Sequence, residues 1–297
     1  MTIPVLINRG GGSTSDDDQA TCESVAAALA GAGIDGKVEM LDGARLARRA
    51  KALVAKLSKL VIVGGGDGTI SAAAAAAADS KTVLGILPMG TLNHLARDLG
   101  IPLELDAAAA LVAEGRMRRI DVAELNGRIF VNNSAIGLYP LMVVDRDAQQ
   151  ERLGRSKRLA MLVASARTLA RFRHHRLTLS VNGNDRQVVE TPLLFVGNND
   201  YKLAMPAAGR RQKLDDGHLS VLVMPGKGRA GMIAAVLRAL VGRARPDDME
   251  RIESVETLRV TGRRGHYSVA LDGETVKVAP PLDYRIRKRA LRVMAPR

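Results

Sequence analysis

The sequence predicts an N-terminal α/β domain built on a parallel sheet, followed by a second domain made mainly of antiparallel β-structure. Three observations carry that prediction. Apolar runs alternate with helix-like stretches as far as about Arg118; beyond it, short β-rich runs are broken by turn sequences; and two of the early strands run directly into glycine turns that open helices.

Taken in order, "IPVLIN" (Ile3 to Asn8) reads as a buried strand. "DDDQATCESVAAALAGAG" reads as a helix with acids in its first turn, where they suit the helix dipole, and glycines at its end. "KVEML" is a second strand, and the helix after it places Leu46, Ala50, Leu53, Val54 and Leu57 on one face. "KLVIV" is a third strand; it passes through "GGGDGT" into a helix from about Thr69 to Ala78. "TVLGIL" is a fourth strand, and a further helix follows Gly90. From Arg118 to about Gly137, Arg176 to Val196 and Leu219 to Met224, β-rich runs are separated by "NGR", "NGND" and "DDGH". "LTLSVNGNDRQVVE" alternates around Asn-Gly as a hairpin does. Helical insertions are expected at roughly Gln149 to Phe172 and Arg229 to Val241, and the final strands "SVALDGETV" and "ALRVMAP" are candidates to return the chain to the first domain.

With 297 residues the chain can bury a sizeable core, and 46% hydrophobic residues without a membrane-length apolar run describe a soluble globular protein. The N-terminal "MTIPVLINRGGG" lacks the pattern of a signal peptide, so a cytoplasmic location is expected. The single cysteine, Cys22, has no partner for a disulfide or a zinc knuckle. A net charge of +13 favours polyanions: nucleotide phosphates, nucleic acid or an anionic bilayer. No Trp, three Phe and four Tyr leave little for base stacking, which counts against single-stranded nucleic acid and leaves basic duplex binding as the alternative; no nucleic acid partner is expected.

Strand, glycine turn and helix is the arrangement that aims backbone N–H groups at an anion, and Gly64 to Gly68 have it. No GK[ST] follows and the spacing is not G-x-G-x-x-G, which disfavours a P-loop or a dinucleotide fingerprint. A plain tight turn is the alternative. Asp67 beside a phosphate would repel it unless it handled a metal, a hydroxyl or a proton. "GILPMGTLNHLARDLGIP" repeats the design, with Thr91 able to cap the helix. Two such turns at successive ends of a parallel sheet make a nucleotide pocket the economical reading.

These stretches, with "RRIDVAELNGRIFVNNSAIGL", "KLDDGHLSV" and "LDGETV", resemble the diacylglycerol kinase catalytic-domain family, which includes bacterial lipid kinases and sphingosine kinases. The matches keep the family's order over nearly the whole chain. GGDGT also occurs in NAD kinases, and the P-x-G-T-x-N-x-x-A-R block separates the two.

The resemblance implies an ATP- and Mg²⁺-dependent kinase acting on a lipid hydroxyl, with diacylglycerol the leading substrate. It implies an α/β nucleotide-binding domain over 1–120, a β-sandwich domain over 121–284, the active site in the cleft between them, and about 285–297 as the returning segment. Gly65, Gly66, Gly68, Thr69, Gly90, Thr91 and Asn93 would contact ATP, with Asn8 in the place of the family's "NPxxG" turn. Asp216 would hold Mg²⁺ with backbone carbonyls around Lys213 and His218, although Asp215-Asp216-Gly217 is equally a turn sequence. Glu274 would take the acceptor's proton, with Asp67 as the rival base. The chain departs from the family at Ser71-Ala72, where an Asn-Glu pair is usual, at His94, where an Asp is common, and at Arg9-Gly10. Those positions bear on the lipid contacts and the metal-water network; the glycines are kept. An NAD-kinase-like or other small-molecule kinase, or a binding protein on this fold, are the alternatives.

Eight Arg or Lys and no acid lie from Arg152 to Arg176, with Leu159, Leu162, Val163, Ala166, Leu169 and Ala170 close to one face. Such a helix suits either an anionic membrane or a solvated surface, and Met232 to Arg245 is a second candidate membrane contact. The expected partners are ATP and a lipid acceptor at the inner membrane surface, where the protein would be peripheral, with a homodimer as one expected assembly. His174 and His175, adjacent on an expected helix, read as solvated or membrane-surface residues.

Overall fold

The first four apolar runs form β1 (Ile3–Asn8), β2 (Gly36–Leu41), β3 (Leu60–Gly65) and β4 (Val83–Pro88). They belong to a computed structural model that describes residues 2–9, 18–137, 174–184, 186–201, 211–225 and 245–297, with single positions at 228, 231 and 238. The four pair in the order β2-β1-β3-β4, every pair parallel. Val5 to Ile7, Val61 to Val63, Leu84, Ile86 and Leu87 are buried, as continuous apolar runs must be in a covered parallel sheet.

Between and after them lie α1 (Asp18–Gly31), α2 (Gly43–Ala55), α3 (Asp67–Ala77), α4 (His94–Leu99) and α5 (Leu105–Glu114). α1 packs with α5 and α2 with α3. Asp42 caps α2, its side chain accepting from the Arg45 amide at 2.8 Å. Leu46, Ala50 and Leu53 are buried as expected, but Leu57 is 78% exposed: α2 ends at Ala55 and Leu57 has φ +58°. The single helix expected after Gly90 is two, because Gly100, at φ +73°, ends α4 in the left-handed conformation glycine favours.

The β-rich part supplies β5 (Arg116–Leu125), β6 (Arg128–Phe130), β7 (Asn133–Gly137), β8 (His175–Val181), β9 (Arg186–Thr191), β10 (Leu193–Asn198) and β11 (Leu219–Val223). β12 (Glu250–Val255), β13 (Thr257–Gly262), β14 (Tyr267–Leu271), β15 (Glu274–Val278) and β16 (Leu282–Ala295) complete it. β8 and β9 form the expected hairpin, with Asn182 and Gly183 both at positive φ and the Asn184 amide donating to the Val181 carbonyl at 2.9 Å. β12 and β13 were not singled out in the sequence, where charges interrupt their apolar positions. The expected helix at His174-His175 is replaced there by the start of β8. The expected insertions at 149–172 and 229–241 lie outside the described residues, positions 231 and 238 excepted.

One sheet, β12-β11-β10-β7-β14-β15, faces part of a ten-stranded sheet that continues from the parallel strands as β4-β16-β13-β8-β9. Phe130, Leu177, Leu179 and Tyr284 from the larger sheet pack with Ile136, Leu194, Val221 and Val269 from the smaller in one buried cluster, as in a sandwich. β16 runs parallel to β4 at Arg292–Val83 and Val293–Leu84, and antiparallel to β13 from Thr257–Arg285 to Val260–Leu282. A single 14-residue strand is therefore part of both halves.

Candidate active site

The two glycine turns meet at the ends of β3 and β4, where Gly65 lies opposite Pro88. A Cβ on Gly90 would lie 2.4 Å from the Cα of Gly66, and one on Gly65 would lie 2.8 Å from the side chain of Thr69. The backbones touch there, and only glycine permits it. Gly66 is the N-cap of α3 and no side chain among the described residues caps that helix, which leaves first-turn N–H groups without partners from the helix. An anion is the natural complement.

Three side chains hold the turns. Asn93 is buried; its carboxamide accepts from the Gly90 amide at 2.9 Å and donates to the Gly90 carbonyl at 2.8 Å. Asn8 donates from Nδ2 to Thr69 Oγ1 at 2.9 Å, tying the end of β1 to α3. Asp67 Oδ1 accepts from the His94 amide at 2.7 Å and so caps α4 from α3. That corrects the expectation for Thr91, which is exposed; the N-cap position is Asn93, in the left-handed region with φ 51°. Thr69 is buried behind the turn, while Gly68 is exposed.

The β14–β15 turn approaches the same place. Glu274 Oε1 lies 3.3 Å from the position a Cβ on Gly68 would take, against the first turn of α3. Two residues earlier, Asp272 accepts from the amides of Val131 and Asn132 at 2.8 Å, from Asn133 at 3.1 Å and from the hydroxyl of Ser71 in α3. Burial raises the pKa of Asp272, and those four donors oppose the rise. A groove of about 370 Å³ leads to Glu274 between α3 and the β-strands, with Ala72, Ala75, Ile129 and Val276 among its walls.

Asp216, Lys213 and His218 form a separate group that has no direct hydrogen bond or ion pair with Asp67 or Glu274 among the described residues. Asp200, Asp216 and His218 bring ligand atoms within 4.8 Å of one another. His218 Nδ1 lies 3.1 Å from the Asp216 carbonyl, and its Nε2 lies 3.2 Å from Asp200 Oδ2. The His218 carbonyl, expected as a ligand, accepts the Asn199 amide at 3.2 Å, and the Lys213 ammonium is 3.9 Å from Asp216. Two carboxylates supply the oxygen donors magnesium takes, and the imidazole adds a donor suited to softer metals.

Sequence reasoning missed three anchors. Asp272 stood inside the quoted "LDGE" without a role. Buried Asp121 accepts the Gly217 amide at 2.8 Å and the Arg289 amide at 2.7 Å, joining the Asp216 loop to β16. Arg211 pairs with Asp98 at 2.7 Å with both side chains almost wholly buried. Asp121 and Asp98 lie in quoted motifs, but nothing local in the sequence marks them as buried. A larger concavity of about 1060 Å³ lies away from these residues, where Arg259 pairs with Asp283 and Arg285 with Glu124. Arg186 adds a further cation to its lining.

Comparison with known proteins agrees with the fold. Residues 2–125 match the diacylglycerol kinase catalytic domain, and residues 142–295 match the YegS C-terminal NAD kinase beta sandwich-like domain. Proteins of Yersinia pestis (strain Pestoides F) and Yersinia pseudotuberculosis serotype O:1b (strain IP 31758), each described as "Probable lipid kinase YegS-like", are 44% identical over 81 residues. That stretch is 26% of this chain and only 27% of the length of either relative. A crystal structure of a diacylglycerol kinase from Bacillus anthracis str. Sterne superposes with a TM-score of 0.71 at 19% identity, over 99% of this chain and 96% of the other. A second structure from that organism gives 0.77 at 22% identity, over 99% and 97%. At such identities the likeness is one of fold.

Proposed function

The chain belongs to the lipid kinase family in which a diacylglycerol kinase catalytic domain is followed by a YegS C-terminal domain, and on that premise we propose that it transfers the γ-phosphate of ATP to a lipid hydroxyl. The carrying observation is the position of Glu274, against the uncapped first turn of α3 where the two glycine turns touch. A carboxylate, an anion-suited backbone and a partly apolar groove converge on one point.

In this reading the amides at Gly65, Gly66 and Gly68 hold the phosphates; Gly90, whose own amide is engaged by Asn93, lets the second turn close on them, with exposed Thr91 at the rim. Asn8, Thr69 and Asn93 act mainly by holding the turns, since their polar groups are engaged with each other or with Gly90. The acceptor hydroxyl gives its proton to Glu274 as its oxygen bonds to the γ-phosphorus and the bond to the ADP oxygen breaks. Asp67 is the rival base, with one carboxylate oxygen already engaged by His94. Mg²⁺ supplies charge neutralisation when bound. Asp216 and Asp200, with His218, are the residues that would hold a metal in the second group.

Diacylglycerol is the leading acceptor, reached at the inner surface of an anionic membrane. No helix among the described residues is long and apolar enough to cross a bilayer. The division at residues 120 and 121, and a homodimer, belong to the same proposal.

The test is transfer of labelled γ-phosphate into a panel of lipids on anionic vesicles with Mg²⁺, using wild type, Glu274→Gln and Asp67→Asn. Wild type is expected to label diacylglycerol, and Glu274→Gln to lose at least about 100-fold in rate while still binding ATP. Asp67→Asn keeps an acceptor for the His94 amide, so a comparable loss in that variant would assign the base to Asp67. ATP binding without any lipid product would overturn the lipid reading and make NAD the next acceptor tried.

A further inference from the structure

Arg211 is the buried arginine among the described residues: its side chain is 0% exposed and that of Asp98 is 6%. Arginine is almost never found fully buried unless it is paired. Nε donates to Asp98 Oδ2 in α4, Nη1 to the carbonyls of Val131 and Asn198, and Nη2 to Asn132 Oδ1 at 2.9 Å. The guanidinium also lies 5.4 Å from the centroid of the Tyr201 ring. One planar group therefore binds three segments: α4, the β6–β7 connection and β10.

The same connection reaches the acceptor side. The amides of Val131, Asn132 and Asn133 all donate to Asp272, two residues before Glu274, and Asp272 accepts from Ser71 in α3. Asp67 in α3 in turn holds the first amide of α4. The contacts form a closed circuit from α4 through Asp98, Arg211, residues 131–133, Asp272 and Ser71 to α3, and back to α4. Both glycine turns and the Glu274 turn are attached to it.

We propose that Asp98 and Arg211 are a positioning pair that keeps Glu274 in register with the two glycine turns. The inference rests on the reading of Glu274 as the acceptor-side base. Stability alone is a poor reason for such a pair, since well-packed apolar residues often serve as well or better than a buried ion pair. A fork with donors fixed in one plane sets geometry, which a lysine at that position cannot copy.

The experiment compares wild type with Arg211→Lys, Asp98→Asn and Ser71→Ala, the last a milder change that keeps the test open should either buried variant fail to fold. Direct ATP binding, the rate at saturating substrates and amide hydrogen exchange at 131–133 and 272–274 are measured on folded protein. The expected result for Arg211→Lys and Asp98→Asn is ATP affinity within about twofold of wild type, a kcat lowered by roughly 10- to 100-fold, and faster exchange in both segments. Ser71→Ala should show the same pattern to a smaller degree. An unchanged kcat in the folded variants, or a kcat that falls only in step with ATP affinity, overturns the proposal. Exchange needs no turnover, so it decides the link even if wild type phosphorylates no lipid: unchanged exchange at 272–274 would sink the positioning pair, whereas missing product with faster exchange would sink the kinase reading alone.

Discussion

His175 begins β8 with its ring centroid 6.0 Å from that of Tyr267, and burial, helped by nearby Arg264 and His174, lowers its pKa to about 4. Its Nδ1 is buried without a hydrogen-bond partner among the described residues. The unfolded chain would take up a proton near the ordinary value of 6.5. Between those values the unfolded state binds more protons than the folded one, so stability rises with pH there and is lost as pH falls toward 4. His175→Phe should flatten that dependence, which urea midpoints measured across the interval would reveal; an unchanged slope would place the titration elsewhere. In the sequence His174 and His175 looked alike, and only His174 is exposed. Arg211 was as illegible, one of 44 cations until Asp98, far away in the chain, closes over it.

At the scale of elements, the glycine turns were legible because a strand that ends in glycines before a helix has few other uses. What the sequence did not reveal was that the turns touch. A Cβ on Gly90 would meet the Gly66 Cα at 2.4 Å and Asn93 Oδ1 at 2.8 Å, and backbone cannot swing aside as a side chain can. A Cβ on Gly66 would meet nothing closer than 3.5 Å. Gly90→Ala should therefore cost about 1–3 kcal/mol of stability through overpacking and weaken ATP binding, with Gly66→Ala clearly the milder of the two. Thermal midpoints and calorimetric ATP titration check the order, and equal effects would mean that the turns separate freely. Thr91 illustrates the same limit: it had the chemistry of a cap, but Asp67 in another helix took that role.

Across the whole molecule, β16 joins what the composition of the chain separates. It lies between β4 and β13 and pairs with β5, so its removal strips a neighbour from both the parallel and the antiparallel strands. The protein should unfold in a single cooperative transition by circular dichroism, and deletion of residues 282–297 should abolish it. A deletion variant in which the α/β half still melts cooperatively would show that the sheet is continuous in hydrogen bonding but not in energy.

The sequence by itself determined the α/β then β order, the two glycine turns and the family resemblance, because strand and helix periodicity, glycine placement and motif spacing are local properties of the chain. Tertiary structure alone decided that Gly66 meets Gly90, that Glu274 reaches α3, that the Asp98 and Arg211 side chains are withdrawn from water, and that four donors gather on Asp272. Those facts depend on which distant segments come together, and residue types report burial only where they are apolar: a buried arginine or aspartate reads, residue for residue, like one on the surface.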